Sequence, residues 1–178
     1  MSPGGLPIPV EVVLLAVVLA AAATDLRSQC IPNWITLPGA VLGFAIQGYY
    51  GGLHGVLAAL AGGAMGFGFF FLLYLAGGMG AGDVKLAGAV GALVGPQAFV
   101  MVFIATGLLG GIAAIALSLA HGRLQETLSK TGGLLANLSL FRWRRAKQAS
   151  VLSAPGALRL PYGAVIAGGA LTYLALYH

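Results

Sequence analysis

Apolar residues run along this chain in long blocks, and the polar residues gather in short interruptions between them. Six blocks stand out, at 8–23, 34–50, 53–76, about 83–95, about 98–120 and about 160–177. A helix needs about 20 residues to cross a hydrocarbon core about 30 Å thick. The first, second and sixth blocks are slightly short for that, and the third is the longest. The fourth rises only about 20 Å at 1.5 Å per residue, so it crosses a thin membrane, begins inside the core, or is partly re-entrant. The pattern predicts an all-α polytopic membrane protein with six transmembrane helices, forming one domain over residues 1–178.

Composition supports lipid as the solvent. The chain is 59% hydrophobic and 7% charged, against about 25% charged residues in an ordinary soluble domain, and its mean hydropathy is +0.96. The 29 glycines fit the same picture, because small residues let membrane helices approach closely. The N-terminal stretch Met1–Gly5 has no Lys or Arg, unlike the basic start of a cleaved signal peptide, so the first block reads as a retained helix. A single cysteine, Cys30, allows no intrachain disulfide and no cysteine-based zinc site. The basic residues form no nucleic-acid-binding stripe.

Charge orients the chain. With six crossings, the nine basic residues (Arg27, Lys85, Arg123, Lys130, Arg142, Arg144, Arg145, Lys147 and Arg159) all fall in or beside the loops after helices 1, 3 and 5. The positive-inside rule then puts those loops in the cytoplasm and both termini outside. The one sizeable extramembrane piece is the cytoplasmic loop at about 121–158. It reads either as a solvated basic loop or as an interfacial segment on an anionic leaflet, with Trp143 among arginines.

Only four acids are present: Glu11, Asp25, Asp83 and Glu126. Glu11 lies near the outer end of helix 1, and Glu126 falls in the cytoplasmic loop. Asp25 and Asp83 each lie at the cytoplasmic boundary of a span, with two crossings between them, so they share one membrane side and a similar depth. Ionisable groups at membrane depth are costly and mark function. Two close carboxylates share a proton, so one can act as base while the other polarises a carbonyl. The bland alternative pairs Asp25 with Arg27 and Asp83 with Lys85 as topology markers. The run Gly77-Gly78-Met79-Gly80-Ala81-Gly82 before Asp83 removes side-chain bulk, so that a substrate backbone or the other aspartate can come close.

Three stretches carry a resemblance. Asp25-Leu26-Arg27 is followed by Ile31-Pro32-Asn33-Trp34-Ile35-Thr36; Gly80-Ala81-Gly82-Asp83-Val84-Lys85-Leu86 reads as G-x-G-D-x-K-L; and Leu160-Pro161-Tyr162-Gly163 opens the last block. The chain resembles the type IV prepilin peptidase family of intramembrane GxGD-type aspartyl proteases, in its short single-domain form associated with tight-adherence (Flp-type) pili. The resemblance implies that Asp25 and Asp83 are the catalytic pair, with Gly80, Gly82 and Lys85 in a substrate-contacting loop. It also implies that Pro32-Asn33 opens helix 2 and that Pro161-Tyr162-Gly163 packs helix 6 against the site. The implied substrate is a prepilin or pseudopilin, cut after a glycine just before its hydrophobic helix, at the cytoplasmic (inner) membrane of a prokaryote. No paired CxxC insert is present, so the N-methyltransferase activity of longer members is not carried over. His54, His121 and His178 have no histidine or carboxylate neighbours in sequence, and neither a metal nor a cofactor is expected. Membrane lipids are the other expected partners, and nucleic acid is not one. Two rival readings remain: a transporter or channel using Asp25 and Asp83 as a proton or cation relay, and an inactive structural subunit of pilus assembly.

Overall fold

Proline and glycine set the helix ends. In the computed structural model, residues 6–75, 79–120 and 161–177 are described. All regular structure among them is helical: α1 (Ile8–Ser28), α2 (Asn33–Leu75), α3 (Ala81–Ala120) and α4 (Tyr162–Tyr177). The expected loop at 121–158, with His121, Glu126 and Trp143, lies outside the described residues, as do Gly77, Gly78 and His178. Pro7 precedes α1 and takes the Val10 amide on its carbonyl at 2.8 Å. At its other end, α1 stops at Gln29, whose left-handed backbone (φ 50°, ψ 33°) turns its N–H onto the Asp25 carbonyl. Pro32 then starts α2 by accepting the Ile35 amide at 3.1 Å.

α2 has 43 residues and α3 has 40. Run straight, each would measure about 60 Å, twice the ~30 Å of a hydrocarbon core. Neither runs straight. α2 breaks at Gly52 (φ 54°, ψ −138°) and α3 at Gly95 (φ 78°, ψ 173°), conformations that only glycine adopts without strain. The arms 33–51 and 53–75 fold back on each other so closely that a side chain on Gly55 would overlap the Gln47 carbonyl. The arms 81–94 and 96–120 both approach Gly66, through the Ala87 backbone and the Phe99 ring. Gln47 ties the two turns together, its side-chain amide donating to the Leu93 carbonyl at 2.8 Å. That bond satisfies a backbone acceptor where the helix is broken, which in lipid would otherwise cost several kcal/mol. The arm 81–94 is the shortest described helical stretch, in line with the weak fourth block.

Backbone-to-backbone packing joins α2 and α3. Side chains on Gly62 or Gly91 would strike each other's carbonyls, and one on Gly66 would strike the Ala87 carbonyl. Gly95 is both a turn residue and a contact, since a Cβ on Gly62 would stand 2.8 Å from its backbone carbon, whereas Gly107 and Gly111 have nothing within 4 Å among the described residues. The 96–120 arm meets α4 instead through Val102 and Thr106, which lie against Gly169. α4 in turn runs antiparallel to α1, with Gly163 against Asp25 and Tyr173 within electrostatic reach of Glu11. One end of the bundle therefore gathers Asp25, Asn33, Asp83 and Gly163. The far end gathers the start of α1, the Gly52 and Gly95 turns, and the end of α4.

The core is mainly aliphatic, with Val10, Leu14 and Val18 of α1, Leu86, Val90 and Leu93 of α3 and Ile166 of α4 buried in one cluster together with Phe70, Phe99 and Tyr173. The outside is also apolar, with Leu108 and Ile112 each 65% exposed. Large exposed apolar surface of this extent suits lipid and not water. Three helical segments, Ile8–Ser28, Asn33–Leu75 and Ala81–Ala116, are long and apolar enough to cross a membrane, and Tyr162–Tyr177 is a shorter apolar helix.

The packing generates a contrast between glycines. Gly62→Val and Gly91→Val should each destabilise the chain by about 2–3 kcal/mol, the upper range for overpacking, because rigid backbone opposes the new side chain. Gly68→Val, with nothing within 4 Å, should leave stability unchanged. Thermal unfolding of the three variants in detergent checks this.

Candidate active site

Asp83 stands in the first turn of α3, where backbone N–H groups lack helical partners. Gly80 is the residue before the helix. Its N–H donates to the Asp83 Oδ2 at 3.1 Å, while the Asp83 N–H donates to the Gly80 carbonyl at 3.2 Å. This is one half of a capping box, with the acid three positions into the helix reaching back to the cap amide. The G-x-G-D pattern is thus first a local device that fixes the direction of the Asp83 carboxylate. A side chain on Gly80 would stand 3.1 Å from that carboxylate, and one on Gly82 would stand 3.1 Å from the Ile31 Cβ.

Asp25 lies in the last turn of α1 and is held twice. Its carbonyl takes the Gln29 N–H at 2.8 Å, and its Oδ2 takes the Gly163 N–H at 2.8 Å. Gly163 belongs to the first turn of α4, so Asp25 caps that helix across 138 residues of sequence. A hydrogen bond to a charged acceptor contributes about 1.5–3 kcal/mol. A Cβ at 163 would stand 2.9 Å from both the Asp25 Oδ2 and the Ile31 Cδ1, so any larger residue there must push one of those side chains aside.

Both carboxylates are nearly enclosed, Asp25 at 6% and Asp83 at 8% exposure. They lie close enough to interact electrostatically, and Tyr162 at the start of α4 interacts with Asp83. Among the described residues, neither aspartate is held in an ion pair, and the donor to each is a backbone amide. Lys85 donates instead to the Asn33 Oδ1 at 2.9 Å, linking the first turns of α3 and α2. Asn33 is the first residue of α2, as the sequence reading has it, and its side chain is the acceptor for Lys85. Cys30 is free and exposed.

Beside the pair, a groove of about 560 Å³ runs between the two arms of α2 and the arm 81–94, walled by Leu37, Phe44, Leu60 and Phe67 and ending at Asn33 and Lys85. It is almost wholly apolar, and neither aspartate lines it. Gly163, read from the sequence as packing the last helix against the site, does lie against Asp25, and its amide bond to the carboxylate is the added detail. Ile31 is the site residue whose role sequence reasoning missed, because an apolar residue carries no chemical signal of a contact made across the fold.

The sequence profile of the type IV leader peptidase family matches residues 12–115, a stretch that includes both aspartates. The chain is 34% identical over 142 residues to the prepilin leader peptidase/N-methyltransferase of Neisseria gonorrhoeae, covering 74% of this chain and 49% of that protein. It is 32% identical over 138 residues to the prepilin leader peptidase/N-methyltransferase of Escherichia coli (strain K12), covering 71% and 60% respectively. The chain therefore spans about half to three fifths of the length of the curated relatives it matches. No solved structure matches it.

Gly163→Ala should push the Asp25 carboxylate aside and weaken the amide bond to it, destabilising the chain by about 1–3 kcal/mol. Gly168→Ala, which meets only the Leu109 Cδ1 at 3.0 Å, should cost less. Thermal unfolding of the two variants in detergent reads the difference.

Proposed function

Because the chain belongs to the type IV leader peptidase family, we propose that it is an intramembrane aspartic endopeptidase that removes the short leader of type IV prepilin-like proteins. The observation that supports this most is the meeting of two enclosed aspartates at one end of the bundle, each oriented by a backbone amide. In the proposed reaction the ionised carboxylate takes a proton from water, and the water oxygen attacks the scissile carbonyl carbon. The protonated carboxylic acid gives its proton to the carbonyl oxygen. The tetrahedral intermediate then collapses: the C–N bond breaks, the first carboxyl returns its proton to the departing amine, and one hydroxyl of the intermediate gives its proton back to the second carboxylate as the new carbonyl forms. The Gly80 and Gly163 amides hold one oxygen of each carboxylate, which leaves the other directed by geometry rather than by rotamer chance.

The same reading extends to topology. α2 and α3 are each long enough for two crossings and each turns at a glycine, which supports six spans in the cytoplasmic membrane of a prokaryote. Arg27 and Lys85 stand at the aspartate end, which supports a cytoplasmic active site and both termini outside. A leader that ends in glycine suits such a site. Glycine disfavours helix by about 1 kcal/mol relative to alanine, so the scissile bond is available without unwinding a helix in lipid. Gly80 and Gly82 would border that extended segment, with Lys85 close by.

Coexpression with prepilins, read as leader removal by gel shift, tests the proposal. Asp25→Asn and Asp83→Asn should each abolish processing while the chain still inserts. Asp25→Glu should retain about 1% of turnover, because one methylene displaces the carboxylate by about 1 Å. Cleavage by Asp83→Asn at the normal rate would overturn the mechanism.

A further inference from the structure

The turn between α1 and α2 is largely open to its surroundings, and one residue in it is buried outright. Leu26 through Cys30 are exposed, as are Asn33 and Trp34, whereas Ile31 is 5% exposed. A buried isoleucine in an exposed turn is held there by what it touches, and Ile31 touches two glycines on two other helices. A Cβ on Gly82 would stand 3.1 Å from the Ile31 Cβ and 3.3 Å from its backbone N and O. A Cβ on Gly163 would stand 2.9 Å from the Ile31 Cδ1.

Each glycine neighbours one member of the pair. Gly82 directly precedes Asp83, and Gly163 donates its N–H to the Asp25 Oδ2. The Cβ and backbone of Ile31 therefore bear on the start of α3, and the tip of its side chain bears on the start of α4. Two residues further on, Asn33 accepts from Lys85, so the same short segment reaches α3 on both sides of Asp83, at 82 and at 85. We infer that Ile31 is a positioning residue that sets the spacing of the two carboxylates, acting as a spacer between the helix starts that hold them. The inference rests on the peptidase reading above. It goes further in assigning to an apolar side chain, which touches neither proton nor substrate, control over how the two acids meet.

Spacing and filling make different demands on the side chain. A residue that only fills space can be replaced by an isomer of equal volume. A spacer needs its length at Cδ1 against Gly163 while its Cβ and backbone stay against Gly82. Leucine keeps the volume and redirects the tip, and valine loses the tip.

The test is steady-state cleavage of a prepilin by the full chain in membranes, comparing wild type with Ile31→Val, Ile31→Leu and Ile31→Ala. Ile31→Ala should lower kcat roughly 10- to 100-fold, the range for misplaced catalytic groups, with KM within about threefold of wild type. Ile31→Leu should also lose kcat, by about 10-fold, despite its equal volume, because its tip is redirected, and Ile31→Val, which lacks the tip, should lose a similar amount. If Ile31→Ala fails to insert, the leucine and valine variants decide. A leucine variant with wild-type kcat would overturn the inference, as would a rise in KM at constant kcat in any variant. An inactive wild type would contradict the peptidase reading instead. A wild type that cleaves, alongside variants that cleave equally well, contradicts the positioning role alone.

Discussion

The hydrogen bond from the Gly163 amide to the Asp25 carboxylate is the contact on which the arrangement of the site depends. It joins the first described helix to the last, closing the bundle around α2 and α3. It also satisfies two groups that lipid would leave stranded, a free amide at a helix start and a carboxylate at membrane depth. Asp83 uses the same solution within its own helix, through Gly80. The pair thus joins the end of α1 to the starts of α3 and α4, and each carboxylate serves the fold as a partner for an amide at a helix start.

Glycine makes this economical in a chain with few polar groups. At Gly52 and Gly95 it allows backbone turns that divide two long helices into arms. At Gly62, Gly66 and Gly91 it lets α2 and α3 pack backbone to backbone, where dispersion contacts replace the hydrophobic driving force that lipid does not supply. At Gly82 and Gly163 it clears the approach to the aspartates. The Gln47 side chain then supplies a partner for Leu93 near the break at Gly95. One residue type therefore serves turning, packing and access, and the three uses differ in what a substituted side chain would meet.

Much of this was legible in the sequence. The apolar blocks at 34–50, 53–76 and 83–95 lie almost on the helical arms 33–51, 53–75 and 81–94, because a hydrophobic block bounded by glycine or proline marks a helix in lipid directly. The placement of Asp25 and Asp83 at one end followed from counting the helical stretches between them. Pairwise detail was less accessible. Gly107 and Gly111 share the spacing of packing glycines, yet nothing described lies against them, since spacing shows which residues share a helix face but not which face a neighbour takes. The bond from Lys85 to Asn33 spans 52 residues and replaces the local pairing with Asp83 that proximity in sequence invited. Ile31 gave no chemical signal, because its role exists only once three helix ends are brought together.

The central claim is that Asp25 and Asp83 form one unit at a shared end of the bundle. The most direct measurement replaces both with cysteine in a Cys30→Ser background and treats the inserted protein with a short bifunctional thiol reagent, read by intact mass. The account predicts one reagent molecule bridging both thiols in each chain, with no free thiol left. Two reagent molecules per chain, each attached at one end only, would show that the two positions do not meet and would contradict it.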